Sequence, residues 1–593
     1  MLEPTLIGHV ESVKGGSVAI RLREEVPTVL MVQGRSYRIG QVGAFLRIPL
    51  GYSQLYAVCT LVGAAAAPLR EESPNPVGAR WLEATLFGES IGGFFERGVS
   101  QYPTIEDEVH LVTPEDMRVV YGSMSEDRAI RVGRIAAASG ISGDLDLGRL
   151  VVRHSAVVGS TGSGKSNLVA VLLEAIATQG FDAARVLVVD PHGEYASAVG
   201  QHARVFRINP DEAKGERHLY VPFWALPFDE WQELSLGKVQ PQSETAIRDL
   251  VTAQKLRSSR QLDRPPPEAA ITSDSPIPFS MHRLWFELDD FERRTYEDRD
   301  LTQPATRTQE GDATALVPNQ YPPPSPGTTP PFAGRPRHIS RQLEQMRSRL
   351  RDARYAFLFQ PGEGLAPSLD GEVEQDLDEL VSSWVGHDRP ITVLDVSGMP
   401  SDLLSAVVGT VVRLVYDMLF WAGDSPVGGR NQPLLIALEE AHLFLPADGE
   451  SPAHRAITKI AKEGRKYGIG LCVVTQRPSE IDATVLSQCG TMVALRLANA
   501  SDRSKVEAAM PDDLGALSAM LPSLRTGEAL VLGEAMPIPS RIQFYKARKR
   551  PRGDDPEMPQ VWRSERPDAD HYETALLNWR RQSHHERKEP EDG

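Results

Sequence analysis

Residues Gly159-Ser160-Thr161-Gly162-Ser163-Gly164-Lys165-Ser166 fit the pattern G-x-x-x-x-G-K-[ST], and no other stretch limits the fold so strongly. Such a loop closes its backbone N–H groups around a polyphosphate when a strand leads into it and a helix leads out. The flanks predict both. Val151 to Val158 reads as a buried strand. Asn167 to Gln179 reads as a helix with Leu168, Val169, Leu172, Leu173 and Ile176 on its apolar stripe. Gly159, Ser160, Thr161, Gly162, Ser163, Gly164, Lys165, Ser166 and Asn167 are therefore the expected nucleotide-binding residues. Lys165 is placed to reach the β- and γ-phosphates of ATP or GTP, and the Ser166 hydroxyl to ligate Mg²⁺.

The rest of the chain divides around this loop. Residues 1 to about 120 alternate short apolar runs (Val18–Leu22, Thr28–Val32, Gly43–Ile48) with glycine turns, which predicts a small β-barrel. Residues 121–149 read as a connector. From 150 to about 545, strands alternate with helices, so the fold class is α/β with a mostly parallel sheet. The expected strands are Val186–Val189, Ile391–Val396, Leu434–Leu438, Leu471–Thr475 and Met492–Leu497. Residues 235–375 break the alternation. Within them Gln303–Arg337 is rich in proline, threonine and glycine and reads as a disordered or weakly ordered insertion, and His338–Tyr355 reads as a charged helix. The tail, 546–593, carries Trp562, Tyr572 and Trp579 and a short predicted helix at Tyr572–Arg581. That helix would brace a neighbouring subunit or dock on its own chain.

Composition narrows the class. The chain has 593 residues, 41% hydrophobic and 24% charged, as in soluble globular proteins. No uninterrupted apolar run approaches the length of a membrane span, and Met1-Leu2-Glu3-Pro4 does not open a secretory signal. Cys59, Cys472 and Cys489 lack metal-ligand spacing and read as reduced core thiols, which points to the cytoplasm. A net charge of −16 argues against a surface that coats nucleic acid, although DNA held in a narrow basic pore remains compatible with it. Lys546–Arg552 is a basic run that reads either as a DNA contact or as a solvated linker.

A phosphate loop needs acidic and polar partners. Leu434–Leu438 is an apolar strand ending in Glu439 and Glu440. Glu439 is expected to hold Mg²⁺ through water, and Glu440 to orient and polarise the attacking water. Leu471–Thr475 ends at Gln476, placed to sense the γ-phosphate. Between these strands lies the basic stretch Lys459–Gly468. Its Arg465 is the candidate arginine finger for a neighbour's nucleotide; the alternative is a solvated helix face. Asp190-Pro191-His192-Gly193-Glu194-Tyr195 ends another strand at the carboxyl edge of the sheet, near the expected nucleotide.

Taken together, Gly159–Ser166, Asp190–Tyr195, Glu439-Glu440-Ala441-His442, Glu463–Gly468, Thr475–Pro478, Leu524–Ala529 and Pro537–Arg541 resemble the HerA-type ATPases of the HerA–FtsK superfamily. The resemblance implies a RecA-like core behind an N-terminal β-barrel and a hexameric ring with DNA in its central channel. It also implies an effector protein docked near the barrel, either a nuclease or a sirtuin-type NADase. The expected function is an ATP-driven double-stranded DNA translocase or helicase in DNA end processing or antiphage defence. The alternative is an ATPase scaffold that assembles and gates a defence effector without processive translocation. A conjugation-type coupling ATPase is a third reading, disfavoured by the lack of a membrane segment. The barrel is the expected docking platform, through strand edges open to a partner strand.

Overall fold

The structure is a computed structural model that describes residues 5–32, 34–64, 80–122, 124–136, 140–362, 364–399, 401–510, 515–553, 558–563 and 569–581. The N-terminal tetrapeptide and much of the tail beyond 553 lie outside the described residues.

Six antiparallel strands close the N-terminal barrel. They are β1 (Leu6–Lys14), β2 (Ser17–Leu22), β3 (Phe45–Leu50), β4 (Ser53–Ala64), β5 (Arg80–Ile91) and β6 (Glu108–Leu111). Their order is β2-β1-β6-β3-β4-β5, and β2 pairs back onto β5. Alternate residues such as Val18, Ile20, Leu46, Ile48, Leu82 and Ala84 point inward and fill the barrel. Each of the six ring strands has a partner on both sides, so among the described residues the open strand edges expected here are confined to Phe94–Arg97 and the hairpin of Val29–Val32 with Arg35–Arg38. The short strand Phe94–Arg97 pairs outside the ring with β5, and its Arg97 donates to the Gly533 carbonyl of the core at 3.2 Å.

Val29–Val32 with Arg35–Arg38, and Thr295–Tyr296 with Phe332–Ala333, form two separate two-stranded sheets, and twelve further strands build one mixed sheet. In chain order they are β7 (Ala129–Ile135), β8 (Ser142–Asp146), β9 (Ser155–Val158), β10 (Arg185–Asp190), β11 (Ala203–Arg207) and β12 (Arg217–His218). β13 (Ile391–Asp395), β14 (Leu434–Leu438), β15 (Ile469–Thr475), β16 (Thr491–Ala494), β17 (Glu528–Gly533) and β18 (Ser540–Phe544) complete it. The spatial order is β8-β7-β18-β17-β16-β9-β15-β14-β10-β13-β11-β12. Every pairing from β16 to β12 is parallel, and every pairing from β8 to β16 is antiparallel. The central strands are apolar throughout because both faces are covered. Val186 and Val188 face one core, Leu187 and Val189 the other.

Helix α1 (Lys165–Thr178) covers the first face. The second carries α2 (Pro241–Ser258), α3 (Met281–Arg293), α4 (Ser340–Arg351), α5 (Leu377–Val385), α6 (Ser401–Ala422) and α7 (Pro452–Glu463). By composition, Leu403–Ala422 is long and apolar enough to cross a membrane, the only such helix among the described residues. Two thirds of it is buried against the second face, and Arg413 in its middle donates to the Ala225 carbonyl at 2.5 Å.

Two sequence expectations need correction. Val151–His154 is not strand: Leu147–Val152 is helical, and His154 is left-handed at φ 53°. Its Nδ1 accepts the Leu471 N–H at 3.0 Å, which fixes the bend, and β9 begins only at Ser155. Burial lowers the His154 pKa to about 4, so the ring stays neutral in that role. The proline-rich segment 303–337 is laid down as an ordered loop. Asn319 is buried, donates to Asp290 at 2.6 Å and accepts the Gly311 N–H at 2.8 Å; Tyr321 also donates to Asp290, at 2.7 Å. Leu316 and Ala305 are buried beside them. Composition does not reveal one buried carboxylate that gathers a polar loop.

Candidate active site

The carboxyl ends of β9, β10, β14 and β15 converge because the strands run parallel in register. Val158 pairs with Thr475, Val189 with Leu438, and Leu438 with Val473. The residues that follow each strand share one cleft of about 900 Å³. Of the expected site residues, Thr161, Gly162, Gly164, Lys165, Ser166, Asn167, Glu439, Glu440 and Gln476 line it.

The phosphate loop has the shape its glycines predict. A Cβ on Gly159 would sit 2.6 Å from Ser163 Oγ and 2.8 Å from Leu495 Cβ, so the turn closes only with glycine there. Gly164 is left-handed at φ 103° and opens α1, which starts at Lys165, two residues earlier than the sequence suggests. Ser160 anchors the loop through its hydroxyl to the Arg496 carbonyl at 2.9 Å. The buried Ser163 Oγ has no hydrogen-bond partner among the described residues. Lys165 is only 7% exposed. Burial lowers its pKa, opposed by Glu440, Glu439 and Glu194 nearby. A buried ammonium that faces three carboxylates is matched to an anion brought with Mg²⁺.

The two carboxylates have different surroundings. Glu439 is 3% exposed, and Tyr195 donates its hydroxyl to Glu439 Oε2 at 2.8 Å. Burial pushes the Glu439 carboxyl up to about 8 despite that bond. Tyr195 is itself fixed by Asp190, whose carboxylate accepts the backbone N–H groups of His192 at 3.2 Å, Gly193 at 2.9 Å and Tyr195 at 2.9 Å. Asp190 is therefore a brace for the loop that orients Glu439. Glu440 is left-handed at φ 47°, a conformation that costs a non-glycine residue about 1 kcal/mol or more. Its Oε2 lies 3.3 Å from His442 Nδ1. Burial works to raise the Glu440 pKa, but His442 and Lys165 outweigh it and hold the carboxyl below its ordinary value. Glu440 is thus held ionised beside Lys165, and Glu439 is oriented by Tyr195 at the end of β14. Among the described residues no cluster of three His, Cys, Asp or Glu could hold a metal. Ser166 and Glu439 suit Mg²⁺ that takes its other ligands from phosphate and water.

Gln476 meets the phosphate loop directly: Thr161 donates its hydroxyl to Gln476 Oε1 at 2.7 Å. Arg465 does not enter the cleft. It lies exposed in the turn Gly464–Tyr467 ahead of β15, whereas the cleft lies beyond the other end of that strand. Seven strand residues separate the two edges by roughly 20 Å.

The sequence reading missed one wall of the cleft. Arg134, Arg525 and Arg541 line it, together with Tyr545, Lys546 and Arg550 from the chain after β18. Arg541 pairs with the buried Glu528 at 2.6 Å, and the Gly527 N–H donates to the Ser163 carbonyl at 2.9 Å. The signals were the Leu524–Ala529 and Pro537–Arg541 motifs and the basic run Lys546–Arg552, whose roles spacing alone could not assign.

Comparison with known proteins meets this geometry. The family description "Helicase HerA, central domain" matches residues 130–415, and "Helicase HerA-like C-terminal" matches 403–548. The chain belongs to the HerA family. A probable helicase of Methanocaldococcus jannaschii is 25% identical over 449 residues, 75% of each chain. The HerA DNA double-strand break repair helicase of Pyrococcus furiosus is 23% identical over 484 residues, 74% of this chain and 72% of its own. Among solved structures, VirB4 of Thermoanaerobacter pseudethanolicus covers 72% of this chain and 98% of its own at 13% identity, with a TM-score of 0.43. This HerA-type chain is a P-loop ATP hydrolase with its nucleotide cleft at the carboxyl edge of an α/β sheet.

Proposed function

We propose that this HerA-type ATPase is an ATP-driven translocase on double-stranded DNA, assembled as a homo-hexameric ring with DNA in its central channel and working in the cytoplasm. Mg²⁺-ATP sits on Gly159–Asn167, with Lys165 on the β- and γ-phosphates and Ser166 and Glu439 toward the metal. Glu440 polarises the attacking water, and Gln476 reports the γ-phosphate to β15. The observation that carries the ring is the position of Arg465. At the far edge of the sheet it cannot serve its own cleft, so its chemistry as a finger requires a second copy. DNA as substrate is supported by the relatives named as DNA double-strand break repair helicases.

The motor passes its output to an effector, a nuclease or a sirtuin-type NADase, in DNA end processing or antiphage defence. The barrel is its platform. With the ring itself closed, one surface offered to a partner is the exposed tip of Tyr52, Ile91 and Phe94. Movement is tested by displacement of a third strand from a triplex on linear duplex DNA. ATP-dependent displacement that Lys165→Ala abolishes is expected. DNA-stimulated hydrolysis without displacement would replace translocation by a scaffold that gates the effector.

A further inference from the structure

The basic run Lys546–Arg552 exposes its basic side chains but does not trail as a free linker. After β18 the chain turns across the mouth of the nucleotide cleft and is held there residue by residue. Tyr545 donates its N–H to the Val132 carbonyl at 3.0 Å. The Asn167 side chain uses both of its ends: Nδ2 donates to the Tyr545 carbonyl at 2.9 Å, and Oδ1 accepts the Ala547 N–H at 3.0 Å. Arg548 binds Glu174 on α1 twice, through its N–H at 3.1 Å and its guanidinium at 2.7 Å. Arg552 donates its N–H to the Glu194 carbonyl at 3.0 Å. The strap thus spans from α1 to the loop after β10. Pro551 is buried under it, although Arg550 and Arg552 on either side are exposed.

We propose that this strap forms the base-and-ribose subsite of the cleft, with Arg550 and Pro551 as its contact residues and Asn167 as the residue that positions it. The inference rests on the reading of Gly159–Ser166 as the triphosphate site. The triphosphate is fixed at one end of the cleft by that loop, and the nucleoside must extend past Ser166 and Asn167, where the strap crosses. The wall there combines Ile135, Tyr545 and Pro551 with the guanidinium of Arg550, and Arg134 lines the same cleft. Apolar surface beside a planar cation suits the face of a purine, and a cleft of about 900 Å³ has room for a whole nucleotide. The Asn167 side chain therefore acts through the strap, while its backbone stays with the phosphate loop.

The test separates the two ends of the ligand by measuring affinity of the full-length protein for ATP and for inorganic tripolyphosphate. Arg550→Ala and Pro551→Gly should each weaken ATP about tenfold and leave tripolyphosphate within about twofold. Asn167→Ala should do the same, and in addition should speed backbone hydrogen exchange over 545–553. Lys165→Ala should weaken both ligands, and if it weakens neither, the triphosphate site itself is wrong. ATP affinity unchanged in Arg550→Ala and Pro551→Gly, with Lys165→Ala impaired, would overturn the subsite alone. So would an equal loss of ATP and tripolyphosphate, which would place Arg550 on the phosphates. Loss of duplex DNA binding with normal ATP affinity would return the run to DNA contact.

Discussion

At the scale of single residues, the cleft assigns different work to neighbouring charges. Lys165 is the buried cation that three glutamates face. Lys165→Ala should abolish ATP hydrolysis and leave circular dichroism unchanged, because backbone bonds and glycines hold the loop. Turnover within a few-fold of the parent would remove the assignment. Glu440→Gln should keep ATP bound while turnover falls about 10²–10⁴-fold, since the polarising carboxylate is lost. Glu439→Gln should instead weaken the Mg²⁺ dependence of binding. The opposite pattern, measured by nucleotide retention on a filter alongside phosphate release, would exchange the two roles. The Tyr195–Glu439 bond adds a finer expectation. Tyr195→Phe should impair turnover less than either glutamate substitution, since it loosens the orientation of Glu439 and leaves its charge in place.

At the scale of elements, the insertion on the second face carries its own polar bracing. Lys255 on α2 is fully buried and donates to the Ser273 carbonyl at 2.7 Å and the Ser275 carbonyl at 2.6 Å. Burial lowers its pKa to about 7. The unfolded chain then binds this proton more tightly than the folded one. The cost of the buried charge is full below pH 7 and is relieved as the pH rises from about 7 toward the ordinary lysine value. The stability of the parent relative to Lys255→Met should therefore increase from pH 7 to pH 10, by at most about 1.4 kcal/mol per pH unit. A flat difference in urea unfolding across that range would show that Lys255 titrates normally.

Elements also mark where the sequence could be read. The central strands were legible because burial on both faces makes them continuously apolar, as in Leu434–Leu438 and Ile391–Asp395. The phosphate loop, Glu439, Glu440 and Gln476 were legible because each follows such a strand. Val151–His154 misled because an apolar helix end abuts the strand, and only the left-handed His154 separates them. The Gln303–Arg337 loop misled because its order comes from the buried Asp290 on the preceding helix, which composition does not show. The strap at 545–553 was missed because its partners Asn167, Glu174 and Glu194 lie more than 350 residues away in the chain.

At the scale of the whole molecule, one copy holds a cleft at one sheet edge and Arg465 at the other. Mixing Arg465→Ala protein with Lys165→Ala protein should restore part of the ATPase activity, because some interfaces then join an intact lysine to an intact arginine. Failure to recover in mixtures shown to exchange subunits would leave Arg465 on a solvated surface. Deletion of residues 1–120 should release the effector and spare hydrolysis, measured by co-purification of the partner and by phosphate release. An effector held equally well by residues 121–593 would move the docking site to the tail.

The central claim is that this cleft burns ATP to act on DNA. It is tested most directly by steady-state ATP turnover of the full-length protein with and without linear duplex DNA, across a salt titration. The account predicts that DNA raises the rate and that the stimulation fades as salt rises, because phosphate contacts release counterions. A rate indifferent to DNA at every salt concentration would contradict it.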